Sequence, residues 1–484
     1  MTAALRFGEG EIPPEAFDEA SRRAAGGLER LGVGDGDVVC ILLKNQPAYL
    51  QAMLAARMLG AYTCPINWHY RAEEAGWILR DSGAKVLFTD RELRHQIAAG
   101  IPPDIKIVAE PESWIAAQAP WAGTARAPRM SMPYTSGTTG RAKGVRRHVP
   151  SARQVELVRE CLARALGIEP GMRALLPAPL YHSAPNGYAV QAMLNGELFV
   201  LEPRFDAERT LALIEKHRLT HAYLVPTMYV RLLRLDERIK NQYNLRSLRF
   251  VCSTGSPCPP EVKRAMIDWW GPLLHEAYAA SELGYVTAIT PQEALRKPGS
   301  AGRPIGEATL RILDAGGREL PAGEVGLIYA RQPAFPDFAY NNNAEARRAI
   351  ERGGLWSLGD MGTLDAEGYL YVSDRASDMV ISGGVNIYPA EIEGALALMP
   401  GVRDCAVFGV PDAEFGEALL AAVQPEPGIS LSLKDIQSFL GARIAGYKVP
   451  RRVEFHVELP REESGKIFKR RLRAPHWEKA GRKI

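Results

Sequence analysis

The sequence predicts an α/β protein: a large N-terminal α/β domain over residues 1–374 and a small α+β domain over 375–484, with the border near 374–378. Three observations predict it. The 484 residues exceed one ordinary domain. The first 300 residues alternate short apolar strands with amphipathic helices, the pattern of parallel pairing. Beyond them, glycine-punctuated hairpins take over, and from Pro389 a compact run of helices and strands follows.

The elements follow in chain order. Residues 15–31 carry apolar side chains at helical spacing, VVCILLK (38–44) reads as a buried strand, and 49–59 as an apolar helix. KVLFTD (85–90) is a strand ending in an aspartate. RALLPAP (173–179), a helix over 185–194, ELFVL (197–201), a helix over 206–217, HAYLVP (221–226) and LRFVCSTG (248–255) continue the alternation. Strands that stop at small or polar residues are where open α/β sheets place ligands. TLRILDAGGRELPAGEVGLIYAR reads as strand, turn, strand, and TLDAEGYLYVSDR (363–375) as a hairpin turning at 366–368. In the small domain, AEIEGALALM and LSLKDIQSFLGARI are helices, and VRDCAVFGVP, LLAAV and KVPRRVEFHVELP are strands.

Composition narrows the function. With 46% hydrophobic and 24% charged residues the chain buries a large core, and a net charge of +3 is too small for a dedicated nucleic-acid binder. Cys40, Cys64, Cys161, Cys252, Cys258 and Cys405 form no Cys-x-x-Cys, which argues against a zinc site or disulfide framework. The first twenty residues lack the order of a signal peptide, and no apolar run approaches a membrane span, so a cytoplasmic enzyme without an integral membrane segment is expected.

The run PYTSGTTGRAKGVRR (133–147) carries the chemistry first. Its glycines let the backbone approach an anion. Thr135, Ser136, Thr138 and Thr139 add hydroxyls between Gly137 and Gly140, and Lys143 adds a positive charge. A mobile surface loop is the alternative for this run alone. A Walker A loop is excluded, because Gly144 and Val145 follow Lys143 where that loop needs Ser or Thr. Further segments follow in order: PLYHSAP (179–185), STGSPCPPEV (253–262), EAYAASE (276–282), LWSLGD (355–360), SDRASDMVISGGVNIYPAEIE (373–393) and ESGKIFKRRLR (463–473).

This ordered set resembles the acyl-adenylate-forming enzymes, most closely the acyl-CoA synthetases acting on fatty, bile or steroid acids. The resemblance spans most of the chain. It implies a multi-subdomain N-terminal domain with a distorted barrel portion and a mobile C-terminal domain, with ATP, Mg2+ and CoA as co-substrates and a hydrophobic carboxylic acid as substrate. A homodimer is compatible with it. The run 135–140 with Lys143 would hold the phosphates. Gly255, Ser256, Pro257, Ala277, Tyr278, Ala279 and Ser281 would surround adenine, with Tyr278 stacking on the base. Asp360 would accept from the ribose hydroxyls, with Arg375 beside it.

Glu282 suits magnesium, which takes one or two carboxylates plus phosphate oxygens, and the resemblance adds Thr138. Lys466 would approach the α-phosphate during adenylation only, although a lysine in so basic a run is commonly just solvated. His182 would border the acyl pocket with Tyr223, Val225, Gly255, Ala279 and Ala280, a structural histidine being the alternative. Ser382, Gly383 and Gly384 would meet CoA after the small domain turns. Departures from the family pattern are Ala279 and Ala280, Ser281 in place of threonine, and Ser377 at the pivot. Transfer to a free-standing carrier protein, β-lactone closure and non-catalytic binding are the alternative uses of the same fold. Lys466, Glu282 and Asp360 together argue against the last.

Overall fold

A computed structural model describes residues 1–135, 142–376, 378–382, 385–412, 414–460 and 467–479. It is a mixed α/β structure that packs as two units: Met1–Leu310 with Ala330–Trp356, and Arg311–Tyr329 with Ser357–Ile484.

The first unit holds two open sheets. Val38–Leu42, five residues buried on both faces, lies between Tyr62–Pro65 and Ala84–Thr89, with Lys106–Val108 at the edge; every pairing is parallel. The larger sheet has nine strands. Its parallel centre runs Ala4–Phe7, Leu198–Leu201, Arg173–Leu176, His221–Leu224, Phe250–Ser253 and Leu274–Ala280, and antiparallel strands close both edges. Two of the helices that follow these strands start at aspartate caps. Asp90 accepts from Leu93 N–H, and Asp206 accepts from Arg209 N–H at the start of Ala207–His217. The strand Ala4–Phe7 had no local signature; it forms by pairing with Leu198–Leu201, nearly two hundred residues downstream.

A third sheet pairs Tyr134–Thr135, Lys143–Arg147 and Phe338–Tyr340 antiparallel. Thr135 lies opposite Lys143, so the two ends of the glycine-rich run are held side by side. A Cβ on Gly144 would stand 2.8 Å from the Tyr134 ring, and only glycine lets these strands close.

In the second unit the hairpin Asp360–Leu364 with Leu370–Arg375 turns as read, the Asp365 carboxylate accepting from Glu367 and Tyr369 N–H. Val402–Asp412 and Gly416–Pro425 form a long antiparallel pair, with Arg452–Phe455 added parallel. The expected border at 374–378 falls inside this unit. The Asp374 carboxylate accepts from Ala390 N–H at the start of helix Pro389–Leu396, which ties the hairpin to the C-terminal segment.

Candidate functional site

The site in the first unit lies at the C-terminal ends of the parallel strands, and its centre is Glu282. This carboxylate is 6% exposed, and its Oε1 accepts from Thr135 Oγ1 and from Tyr340 Oη, each at 3.0 Å. Burial and the neighbouring carboxylate push the Tyr340 phenol up, so it stays a donor. Lys143 Nζ stands 5.2 Å over the Tyr340 ring. The end of the glycine-rich run, a lysine and a buried carboxylate thus converge, brought together by the small third sheet.

Arg147, on the same strand as Lys143, is 5% exposed and donates to the carbonyls of Ser281 and Pro336. Burial pushes its pKa down to about 10, against the pull of Glu282 and Asp337, so it stays charged at neutral pH. It fixes the turn that carries Ser281 and Glu282. Ser281 Oγ also lies 2.8 Å from Ser183 Oγ, which joins the histidine segment to this turn. His182 is the N-cap residue of helix Ser183–Asn195, half-buried beside Tyr181.

Across the strand ends, Gly255 has φ +91° and open space where a Cβ would stand. Ser256 and Pro257 are exposed beside it, and Ala277 is buried. Tyr278, Ala279 and Ala280 are half-buried at the end of Leu274–Ala280. Val225 is half-buried, whereas Tyr223 is 1% exposed and gives its hydroxyl to a 2.6 Å contact with Thr254 Oγ1. Tyr223 therefore packs beneath this region and offers it no open surface.

In the second unit, Asp360 pairs in register with Arg375 across the hairpin, and Ser382 ends strand Val380–Ser382 opposite Gly416. Ser136, Gly137, Thr138, Thr139, Gly140, Ser377, Gly383, Gly384 and Lys466 lie outside the described residues. Among the described residues, no group of three or more His, Cys, Asp or Glu could hold a metal, and no helix is long and apolar enough to cross a membrane. One buried carboxylate at the end of the glycine-rich run still fits magnesium, which takes one or two carboxylates and completes its shell with phosphate oxygens and water. The buried partners Tyr340 and Arg147 were missed by the sequence reading. Arg147 is one more charge at the end of a basic run, and Tyr340 in YNNN carries no periodic signal.

Comparison with known proteins decides what this arrangement belongs to. The family model for AMP-binding enzymes matches residues 5–335, and the model for their C-terminal domain matches 391–466. The chain belongs to the AMP-binding enzyme family. It is 34% identical over 482 residues to a feruloyl-CoA synthase of Amycolatopsis sp, covering 97% of this chain and 95% of that protein. It is also 34% identical over 483 residues to an indoleacetate–CoA ligase of Aromatoleum aromaticum, covering 96% and 93%. The crystal structure of an anthranilate CoA ligase in complex with anthranoyl-AMP superposes with a TM-score of 0.86 at 27% identity, covering 99% of this chain and 95% of that one. This AMP-binding enzyme is an AMP-forming acid–thiol ligase of the acyl-CoA synthetase branch, whose co-substrates are ATP, Mg2+ and CoA.

Proposed function

We propose that the chain joins a hydrophobic carboxylic acid of aryl or arylalkyl type to CoA, in the cytoplasm. In the first step a carboxylate oxygen attacks the α-phosphorus of MgATP, and pyrophosphate leaves. In the second, the CoA sulfur attacks the acyl carbonyl, and AMP leaves with the electron pair of the broken bond. The observation that carries this reading is the buried Glu282 carboxylate bonded to Thr135 at the mouth of the glycine-rich run. Glu282 would be the protein ligand of a cation on the ATP phosphates, and that charge would screen one anion from the other.

In this reading Thr135 to Gly140 and Lys143 hold the phosphates. Gly255, Ser256, Pro257, Ala277, Tyr278, Ala279 and Ser281 take the base, and Asp360 and Arg375 the ribose. Thr138 joins Glu282 around magnesium. His182, Val225, Gly255, Ala279 and Ala280 border the acid, with Tyr223 supporting them from below. Lys466 orients the α-phosphate and carboxylate in the first step. A pivot near 374–378 then lets Ser382, Gly383 and Gly384 meet CoA. The aryl preference is supported by relatives named for ferulate, indoleacetate and anthranilate, and by open space beside Gly255.

ATP–pyrophosphate exchange over aromatic, long-chain, steroid and short dicarboxylic acids tests this. An aryl acid should lead by about tenfold or more in kcat/KM. No exchange with any acid would sink the ligase reading, and a long-chain preference would sink the aryl assignment. Exchange without CoA consumption would move the acceptor to a carrier protein or to lactone closure. Lys466→Ala should abolish exchange while sparing thioester formation from supplied acyl-AMP; equal loss of both would remove Lys466 from its assigned step.

A further inference from the structure

In the first unit, the helix Ala72–Ser82 is hydrogen-bonded to residues in or beside each strand of the small third sheet. Trp77 Nε1 donates to the carbonyl of Ala142 at 3.1 Å, one residue before the central strand Lys143–Arg147. Near the helix end, the Asp81 carboxylate takes a partner on each oxygen. Its Oδ2 accepts from Tyr134 Oη at 2.6 Å, and its Oδ1 from Asn342 Nδ2 at 3.3 Å. The backbone carbonyl of Asp81 also accepts from the side-chain amides of Asn341 and Asn342. Asn342 holds φ +52°, a left-handed conformation that asparagine takes more readily than most residues.

An ordinary helix ending accounts for part of this. The last carbonyls of a helix have no partner within it, and the two asparagine amides supply one for Asp81. The carboxylate does something further. Strands Tyr134–Thr135 and Phe338–Tyr340 flank Lys143–Arg147 and do not pair with each other. Two carboxylates link them instead. Glu282 accepts from Thr135 and Tyr340. Asp81 accepts from Tyr134, the residue before Thr135, and from Asn342, two residues after Tyr340. The two donors of Glu282 are thus each held, through a neighbour in the chain, by Asp81. Burial pushes the Tyr134 phenol up, with Cys64 and Asp81 adding to it, so it stays a donor. A hydrogen bond to a carboxylate is stronger than one between neutral groups.

We propose that Asp81 is a positioning residue: it braces the strand ends bearing Thr135 and Tyr340, so that Glu282 is held ready for magnesium, and it thereby sets the affinity for MgATP. The proposal rests on the reading that Glu282 is a protein ligand of that cation. It extends the reading to a side chain that bonds to neither Glu282 nor either of its donors. Removing the brace should weaken MgATP binding and leave the use of the acid alone.

The experiment titrates the full chain with MgATP in a calorimeter, without acid, and follows ATP–pyrophosphate exchange in parallel. Asp81→Ala removes the carboxylate and keeps the backbone carbonyl. Its Kd for MgATP should rise about three- to tenfold, the scale of one hydrogen bond. In exchange, kcat and the KM for acid should stay within about twofold of wild type, the split expected when only nucleotide binding is lost. Tyr134→Phe keeps the ring and deletes the donor, and should raise the Kd in the same way. The double variant should lose no more than Asp81→Ala alone, since both changes break one bond. Asp81→Asn keeps an oxygen for Tyr134 and should recover most of the affinity. An unchanged Kd in folded Asp81→Ala, additive losses in the double variant, or a parallel rise in the KM for acid overturns the brace. So does an equal loss in Asp81→Asn and Asp81→Ala. Should Asp81→Ala not fold, Tyr134→Phe decides by the same measurements, and an unchanged Kd there overturns the proposal. Wild type that binds MgATP yet exchanges with no acid overturns the ligase reading, while the variants still decide the brace by their Kd. Wild type that binds no MgATP overturns both.

Discussion

At the scale of single residues, the candidate site is a set of oxygen and nitrogen atoms whose partners come from distant parts of one unit. Glu282 Oε1 receives hydroxyls from Thr135 and Tyr340, 147 and 58 residues away. Such hydroxyls hold a buried carboxylate in one rotamer, and a cation then finds its ligand already placed. Tyr340→Phe keeps the ring, its edge-to-face contact with Phe338 and its contact with Lys143, and deletes one donor. The half-saturating Mg2+ concentration in the exchange assay should rise about three- to tenfold, with kcat at saturating Mg2+ within about twofold of wild type. A magnesium dependence indistinguishable from wild type would show that Tyr340 does not prepare Glu282. The carboxylate itself was readable, since Glu282 ends a segment whose neighbours also match the family. Tyr340 and Arg147 were not, because their roles come from burial against Glu282 and Ser281, and charge or aromaticity alone does not report burial.

At the scale of elements, the reading succeeded where signals are local and failed where they are not. The strands read at 38–44, 85–90, 173–179, 197–201, 221–226 and 248–255 and the helices read at 15–31, 49–59, 185–194 and 206–217 match elements of the structure, because apolar spacing is a local signal. The strand Ala4–Phe7 depends on Leu198–Leu201 and gave no such signal. The basic run KIFKRRLR looked like a solvated face. Within it, however, Lys469 begins the helix Lys469–Lys479 and places Nζ 2.8 Å from Glu393 Oε1, both side chains about one-fifth exposed at 22% and 20%. Burial pushes the Glu393 carboxyl up, and Lys469 and the Val407 N–H pull it back. The helix is thereby pinned to Pro389–Leu396 and to the strand Val402–Asp412, with Trp477 Nε1 donating to Gly409 O at its far end. Lys469→Met strands the Glu393 charge and should cost the second unit about 2 kcal/mol. Adding Glu393→Gln should recover at least half of that. Denaturant unfolding of the second unit reads both values, and additive losses would mean that the two groups do not interact.

At the scale of the whole molecule, each unit has its own core, and the first contains basic groups held neutral by that core. His221 opens the central strand His221–Leu224, is 2% exposed, and stacks toward Phe250, whose other face meets His275 at 3.9 Å. Burial, with Arg249 adding to it, pushes the His221 pKa down to about 4, and burial also lowers that of His275. Glu169 stands 3.7 Å from His221 Nε2, but its side chain is 47% exposed and does not offset the desolvation. The sign follows from linkage. The unfolded chain binds a proton on His221 near its ordinary value of 6.5, and the folded chain does not until about 4. Protons therefore favour unfolding throughout that window. Stability is full above pH 6.5 and falls as the pH drops toward 4, by roughly 3 kcal/mol from His221 alone. His221→Phe keeps a ring against Phe250 and removes the proton site. Its unfolding free energy should fall less steeply than that of wild type between pH 7 and 4.5, so that the two curves converge or cross in acid. Hydrogen exchange of residues 221–224 against pH measures this within the first unit, where a single transition for the whole two-unit chain would not. Parallel curves for wild type and variant would place the acid sensitivity elsewhere, with His275 the next group to replace.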